Sequence, residues 1–312
     1  MPRLFESSVC IVLEVAWHAR PVPDGPPQGW NTMILTRVLD IQANLASWQE
    51  ATSLVSQRRA LLAIMTWRDL TDRYAGQALG AAWAVISPLL LMATYLLAFG
   101  VIFRGRIGPV DNGEEYVAYM LAGLVPWMAM QDCLGRATGA ITGSANLVKQ
   151  VVFPSELLPL RVALSSMPTL LIGLIVTIPI AIASGASHAV GLLVLLPIAL
   201  VSFLLLLAGL AFWLAAIGVF ARDIKDLISF LLGIGLFLHP VLYPPASVPD
   251  WLAPWFVLSP FSHMIWCFRD ALTVSTPEHV WSWLVFPLVS VAAFTTGWRG
   301  YRMLKPTFGN VL

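Results

Sequence analysis

Few residues of this 312-residue chain are of a type and spacing that could do chemistry. Arg68 and Arg73 stand in WRDLTDRY, and a planar guanidinium suits phosphate oxygens, although salt bridging or lipid-headgroup anchoring is the plainer role. Asp69 precedes Arg73 by four residues, the favourable order for a helical ion pair worth roughly 0.2–0.5 kcal/mol. Lys149, Glu156 and Arg161 punctuate ANLVKQVVFPSELLPLR, which starts at Ala145. Pro154 and Pro159 prevent one continuous helix there, because each removes a backbone donor and crowds the preceding turn. The alternation of Leu147, Val148, Val151, Val152 and Phe153 with charge suits a segment that docks on something; the plainer alternative is a solvated connector. Asp132, Arg136 and His239 are the deepest ionisable residues, and all fall near the ends of apolar runs, which leaves a proton-coupled path little to use. The chain has no G-x-x-x-x-G-K-[ST] loop, no H-E-x-x-H, no nucleophile elbow and no carboxylate pair inside an apolar run. Cys10, Cys133 and Cys267 have no C-x-x-C spacing, so neither a zinc knuckle nor a disulfide framework is expected.

The elements that must position these residues are set by composition. With 58% hydrophobic and 11% charged residues, the chain cannot cover a soluble surface, and a polytopic membrane protein follows. Residues 1–52 stand apart as a poorly defined extension. PVPDGPPQGW (Pro21–Trp30) cannot hold a helix, the apolar patch Val9–Trp17 is too short to span, and Met33 is an alternative start. Residues 53–80 are expected to form an amphipathic interface helix, with Trp67, Leu70, Tyr74 and Ala78 at helical spacing. Residues 81–305 hold six apolar runs: Ala81–Phe103, Tyr116–Leu134, Val162–Ser184, His188–Phe220, Leu227–Tyr243 and Val280–Trp298. Each approaches the ~20 residues that cross about 30 Å of hydrocarbon. Trp251–Leu272 is apolar but broken by Pro254 and Pro260, which suits a re-entrant hairpin on the outer side. Residues 306–312 form a short tail.

Charge placement orients the chain. Six spans put Arg58, Arg59, Arg68, Arg73, Lys149, Arg161, Arg222, Lys225, Arg299, Arg302 and Lys305 on one side, against Arg104, Arg106 and Arg269 on the other. That bias makes both termini, and the Asn146–Arg161 segment, cytoplasmic. Most of Trp127, Trp251, Trp255, Trp281, Trp283 and Trp298 fall at span ends, as an interfacial aromatic belt does.

Three regions carry a family resemblance. MTWRDLTDRYAGQALGAAWAVISPLL, through Arg68, Asp69, Leu70, Arg73, Tyr74, Gly80, Trp83, Pro88 and Leu89, resembles the opening of ABC-type permeases that export polysaccharides and teichoic acids. LAGLVPWMAMQDCLGRATGAITGSANLVKQVVFPSELLPL is similar through Gly123, Pro126, Trp127, Asn146, Leu147, Lys149, Phe153, Pro154 and Leu158. ARDIKDLISFLLGIGLFLHPVLYPPASVP and LSPFSHMIWCFRDAL follow through Arg222, Asp223, Pro240, Pro260, Arg269 and Asp270. The resemblance covers roughly residues 55–303. It implies an all-α, six-span half-transporter of the bacterial inner membrane that pairs with a second copy and with two ATP-binding cassette subunits. Its cargo would be a lipid-linked polysaccharide, and membrane lipids, not nucleic acid, would be its other partners. ATP and magnesium would sit on the partner ATPase, with no cofactor, metal or catalytic residue on this chain. Asn146, Leu147, Lys149, Phe153, Pro154 and Glu156 would form the coupling helix, Phe153 as apolar anchor and Lys149 and Glu156 as polar rim. Arg68 and Arg73 would meet the lipid pyrophosphate. Trp83 and Tyr95 would line the channel, since aromatic faces stack on sugar rings. A drug exporter permease and a membrane enzyme acting on lipid-linked sugars are the alternatives, and the second would need clustered carboxylates or histidines.

Overall fold

The computed structural model describes residues 41–102, 113–150, 153–185, 187–221, 223–243, 251–273 and 279–311. The expectations for Pro21–Trp30, Met33, Arg104, Arg106 and Arg222, and for the side chains of Val148, Lys149, Val151 and Val152, lie outside the described residues. Among the described residues, all regular structure is helical.

Two helices open this part of the chain. Helix α1 (Ile41–Gln57) ends where Arg58 leaves helical geometry at φ −109°, ψ 17°, and α2 (Arg59–Asp72) follows. The amphipathic stretch is therefore shorter than the expected residues 53–80. Turns follow Asp72, and Gly76 takes φ +79°, which glycine adopts without a Cβ penalty. Residues 41–57, without a distinguishing pattern in the sequence, are helical and lie against the end of the chain.

Helix α3 (Trp83–Tyr95) is extended by a 3₁₀ turn at Gly80–Ala82 and a π-helical stretch at Leu96–Ile102. Helix α4 (Gly113–Ala137) is the centre of the bundle. Within Tyr116–Ala137, 78% of the apolar window is buried, against 11% for Gly80–Ile102. A short α5 (Ala145–Gln150) precedes α6 (Leu157–Ser165) and α7 (Met167–Ala183), which are offset at Ser166. A π-helical turn (Gly191–Leu195) leads into α8 (Leu196–Phe220). Helix α9 (Ile224–Leu238) stops at His239, which is extended (ψ 156°) because Pro240 follows. Helices α10 (Ala253–Leu258) and α11 (Pro260–Thr273) flank Ser259, extended ahead of Pro260, and α12 (Ser282–Val311) closes the chain.

Among the described residues, four helices are long and apolar enough to cross a membrane: Gly80–Ile102, Tyr116–Ala137, Leu157–Ala183 and Gly191–Phe220. The chain is thus a multi-pass helical membrane protein. The two remaining expected crossings differ for physical reasons. Helix α9 has 15 residues, which reach only about 22 Å. Helix α12 has 30, but Ser282, Ser290, Thr295 and Thr296 dilute its first part, and Arg299, Arg302 and Lys305 occupy its last part. The Trp251–Leu272 stretch does form two short helices, and Ser262–Thr273 are all buried, so protein shelters the second.

Helix α12 lies tightly along α8. A Cβ on Gly209 would stand 2.3 Å from the Ala293 carbonyl carbon, and one on Gly297 would stand 2.3 Å from the Gly209 oxygen. Small residues permit this backbone approach, which dispersion and packing then stabilise within a membrane.

Candidate functional site

The sequence motifs converge on the end of the bundle that holds α2, α5, the start of α6 and the basic end of α12. Within the docking segment, Asn146 is exposed while Leu147, Phe153 and Pro154 are half-buried. Leu147 and Phe153 both pack against the apolar core, so only part of each remains for a partner. Glu156 is 4% exposed and accepts from Lys305 Nζ at 2.8 Å on each oxygen. Its burial sets it apart from the expected polar rim. Pro154 and the turn at Ser155–Glu156 separate α5 from α6, while Pro159, expected to interrupt the segment as well, sits in the first turn of α6, where its missing N–H costs no helical bond.

Beside this segment lies a charge cluster built by three elements. Asp69 and Arg73 come from α2 and the residue after it, Asp132 and Arg136 from one turn of α4, and Arg161, Ser165 and Ser166 from α6 and the residue after it. Arg73 reaches Asp69 at 3.3 Å and Asp132 at 3.2 Å. Arg136 reaches Asp69 at 2.7 Å and Asp132 at 2.8 Å. The Ser165 hydroxyl donates to Asp69 at 2.6 Å and accepts from both guanidiniums, Arg73 at 2.8 Å and Arg136 at 3.0 Å. Arg136 also donates to the Ser166 hydroxyl at 2.7 Å. Arg161 stands 3.9 Å from Asp69 and donates to Ser144 at 2.9 Å, which joins the cluster to the docking segment. Asp72, next to Arg73 in the chain, also acts on Arg161, so three carboxylates balance three guanidiniums. Burial would raise the Asp69 carboxyl, but Ser165 and the three arginines outweigh it and hold the group below its ordinary 3.8.

The two candidate phosphate ligands part company here. Arg73 is half-buried and spent on the cluster, whereas Arg68 is exposed. Five residues of helix turn them about 140° apart. Trp83 and Tyr95 are both half-buried on α3, and Tyr95 stacks on Phe99 at 6.3 Å. Sequence reasoning placed Asp69 with Arg73, and the four-residue spacing of Asp132 and Arg136 was a usable signal. Ser165, Lys305 and Tyr301 gave none, because their partners are distant in sequence.

Toward the start of α4, at the end away from the cluster, Arg269 and Asp270 are neighbours in sequence with separate tasks. Arg269 is 2% exposed and donates to the Tyr119 hydroxyl (2.8 Å), the Val241 carbonyl (2.7 Å) and the Tyr119 carbonyl (3.3 Å), with its guanidinium 3.7 Å over the Tyr119 ring. Asp270 accepts from Trp283 Nε1 at 3.0 Å and the His279 backbone at 3.3 Å, tying α11 to α12. No group of three His, Cys, Asp or Glu side chains suited to a metal occurs among the described residues.

Residues 60–273 match the family model described as ABC-2 type transporter. Curated relatives named O-antigen export system permease protein RfbA are also similar. The one from Myxococcus xanthus is 31% identical over 62% of this chain and 72% of its own length. Two from Klebsiella pneumoniae are 21% and 23% identical, over 81% and 67% of this chain and 95% and 79% of their own lengths.

Proposed function

The chain belongs to the ABC-2 type transporter family, and from that premise we propose that it is the permease subunit of an ATP-driven exporter of a lipid-linked polysaccharide of the O-antigen type. The observation that carries this reading is the similarity to O-antigen export permeases over 62% to 81% of the chain. The chain itself makes and breaks no bonds. ATP and magnesium bind a separate ATP-binding cassette subunit, two of which serve two copies of this chain in the bacterial inner membrane.

In this reading α9 and the first part of α12 are the fifth and sixth crossings, and α10–Ser259–α11 is a re-entrant hairpin on the outer side. Both termini are cytoplasmic. A second copy covers apolar surface that the single chain leaves open, such as Leu227, Phe230, Leu231, Ile234 and Phe237 on α9. The segment from Asn146 to Glu156 couples the permease to its ATPase. Asn146, Lys149 and the open edges of Phe153 and Pro154 meet the partner, while Leu147 holds the segment to the bundle. Arg68 takes the pyrophosphate directly, and Arg73, held in the cluster, supports it from behind. Trp83 and Tyr95 offer aromatic faces to the sugar.

Phe153→Asp tests the assignment, because a carboxylate at the anchor position disfavours an apolar joint. The variant should insert normally, yet lose the copurifying ATPase or leave its hydrolysis unlinked to export. Unchanged complex recovery together with unchanged export would sink the coupling role.

A further inference from the structure

The docking segment is fastened to a helix 149 residues further along the chain. Both Glu156 oxygens accept from Lys305 Nζ, and Arg302 Nε stands 4.0 Å from Oε1. One residue earlier, the Ser155 carbonyl accepts from Tyr301 Oη at 2.9 Å. Tyr301 is fully buried, with Phe212 of α8 and Phe308 of α12 each 5.3 Å from its ring. One stretch of α12, Tyr301 to Lys305, therefore grips two consecutive residues of the segment. Four residues before that stretch, Gly209 and Gly297 bring α8 and α12 backbone to backbone. Helix α1 lies along α12 just before this stretch and reaches it at Arg302. Glu50 pairs with Arg302, Trp48 Nε1 donates to Thr295 at 2.9 Å, and Arg299 donates to Asn44 at 2.5 Å.

We propose that Glu156 is the joint fastening the coupling segment to the last helix. Lys305 and Tyr301 form its other half, and α1 clamps it through Arg302. This inference rests on the coupling reading above and gives Glu156 a positioning role in place of a partner contact. At 4% exposure, Glu156 offers almost no surface to another protein. A carboxylate in that setting needs its cation, since a lone buried charge is strongly unfavourable. The joint makes the segment and α12 move together, so displacement by the ATPase reaches α8 and α12 as well as α6 and α7.

Charge exchange separates this role from its rivals. Glu156→Lys, Lys305→Glu and the double exchange would be expressed with the full chain and its ATPase, measuring inserted protein, copurifying ATPase, ATP hydrolysis and exported polymer. Each single variant should keep its ATPase and its hydrolysis but lose export about tenfold, and the double exchange should recover to within about threefold. Glu156→Gln, which adds no buried cation, should show the same uncoupling if Glu156→Lys fails to insert. Loss of the ATPase from Glu156→Lys but not from Lys305→Glu would overturn the joint by placing Glu156 at the partner. So would wild-type export by Glu156→Gln. Absence of any copurifying ATPase from the wild-type chain would instead remove the coupling reading beneath it.

Discussion

Asp69 gathers more cations than any other carboxylate among the described residues: Arg73, Arg136 and Arg161 all reach it. Asp69→Asn would remove the one carboxylate that all three guanidiniums share, and should destabilise the detergent-purified protein by about 1–3 kcal/mol, read as a lower unfolding temperature. An unshifted transition would show that solvent already screens the cluster. The pH dependence follows from the sign of the shift. Because the folded carboxyl lies below 3.8, its contribution is fully present above the unfolded value and is lost as pH falls through the lower folded one. The difference between wild type and Asp69→Asn should therefore stay flat down to about pH 5 and shrink only in stronger acid. Toward the start of α4, Arg269→Lys should destabilise despite keeping its charge. An ammonium cannot hold three acceptors in one plane and stack on Tyr119 as the guanidinium does. Equal thermal stability would refute that geometry. The Asp69–Arg73 pair was legible because helical spacing is local. The Arg136–Asp69 pair joins two helices and could not be read from either.

Elements were legible where proline or hydrophobic length decides them. Pro154 and Pro260 each mark a break, and the apolar runs behind α3, α4, α7 and α8 are long enough to recognise unaided, whereas the expected run Leu227–Tyr243 carries on past Pro240, before which α9 has already stopped. Helix α1 was not legible: its helicity matters through Trp48, Asn44 and Glu50, which reach Thr295, Arg299 and Arg302 of α12. The six-residue α5 and the offset at Ser166 are likewise set by packing that no short window contains. The α8–α12 crossing supplies the test at this scale. Gly209→Ala puts a methyl 2.3 Å from a backbone carbon, so the helices must separate. We expect less folded protein in the membrane and a loss of about 1–3 kcal/mol. Wild-type stability would mean that the helices do not approach this closely.

For the whole molecule, the proposed coupling role requires the Asn146–Glu156 segment to lie on the cytoplasmic side. Basic residues gather at the end that holds Arg161, Arg299, Arg302 and Lys305, as the inward-facing side of a membrane protein does. In a Cys10→Ser background, Gly113→Cys should label with an impermeant reagent on intact cells, and Gln150→Cys only after permeabilisation. The reverse pattern would invert the topology. The membrane class was legible from composition, and the exporter reading came from motifs shared in order along most of the chain. What sequence could not supply is how the far end of α12 returns to Ser155 and Glu156, because that closure joins residues nearly half the chain apart. The most direct measurement deletes the gene in its own host and locates the lipid-linked polymer with and without the wild-type chain restored. Export by this chain predicts that deletion leaves polymer inside the inner membrane and empties the surface, with restoration by the wild type. Surface polymer at the normal level in the deletion strain would contradict it.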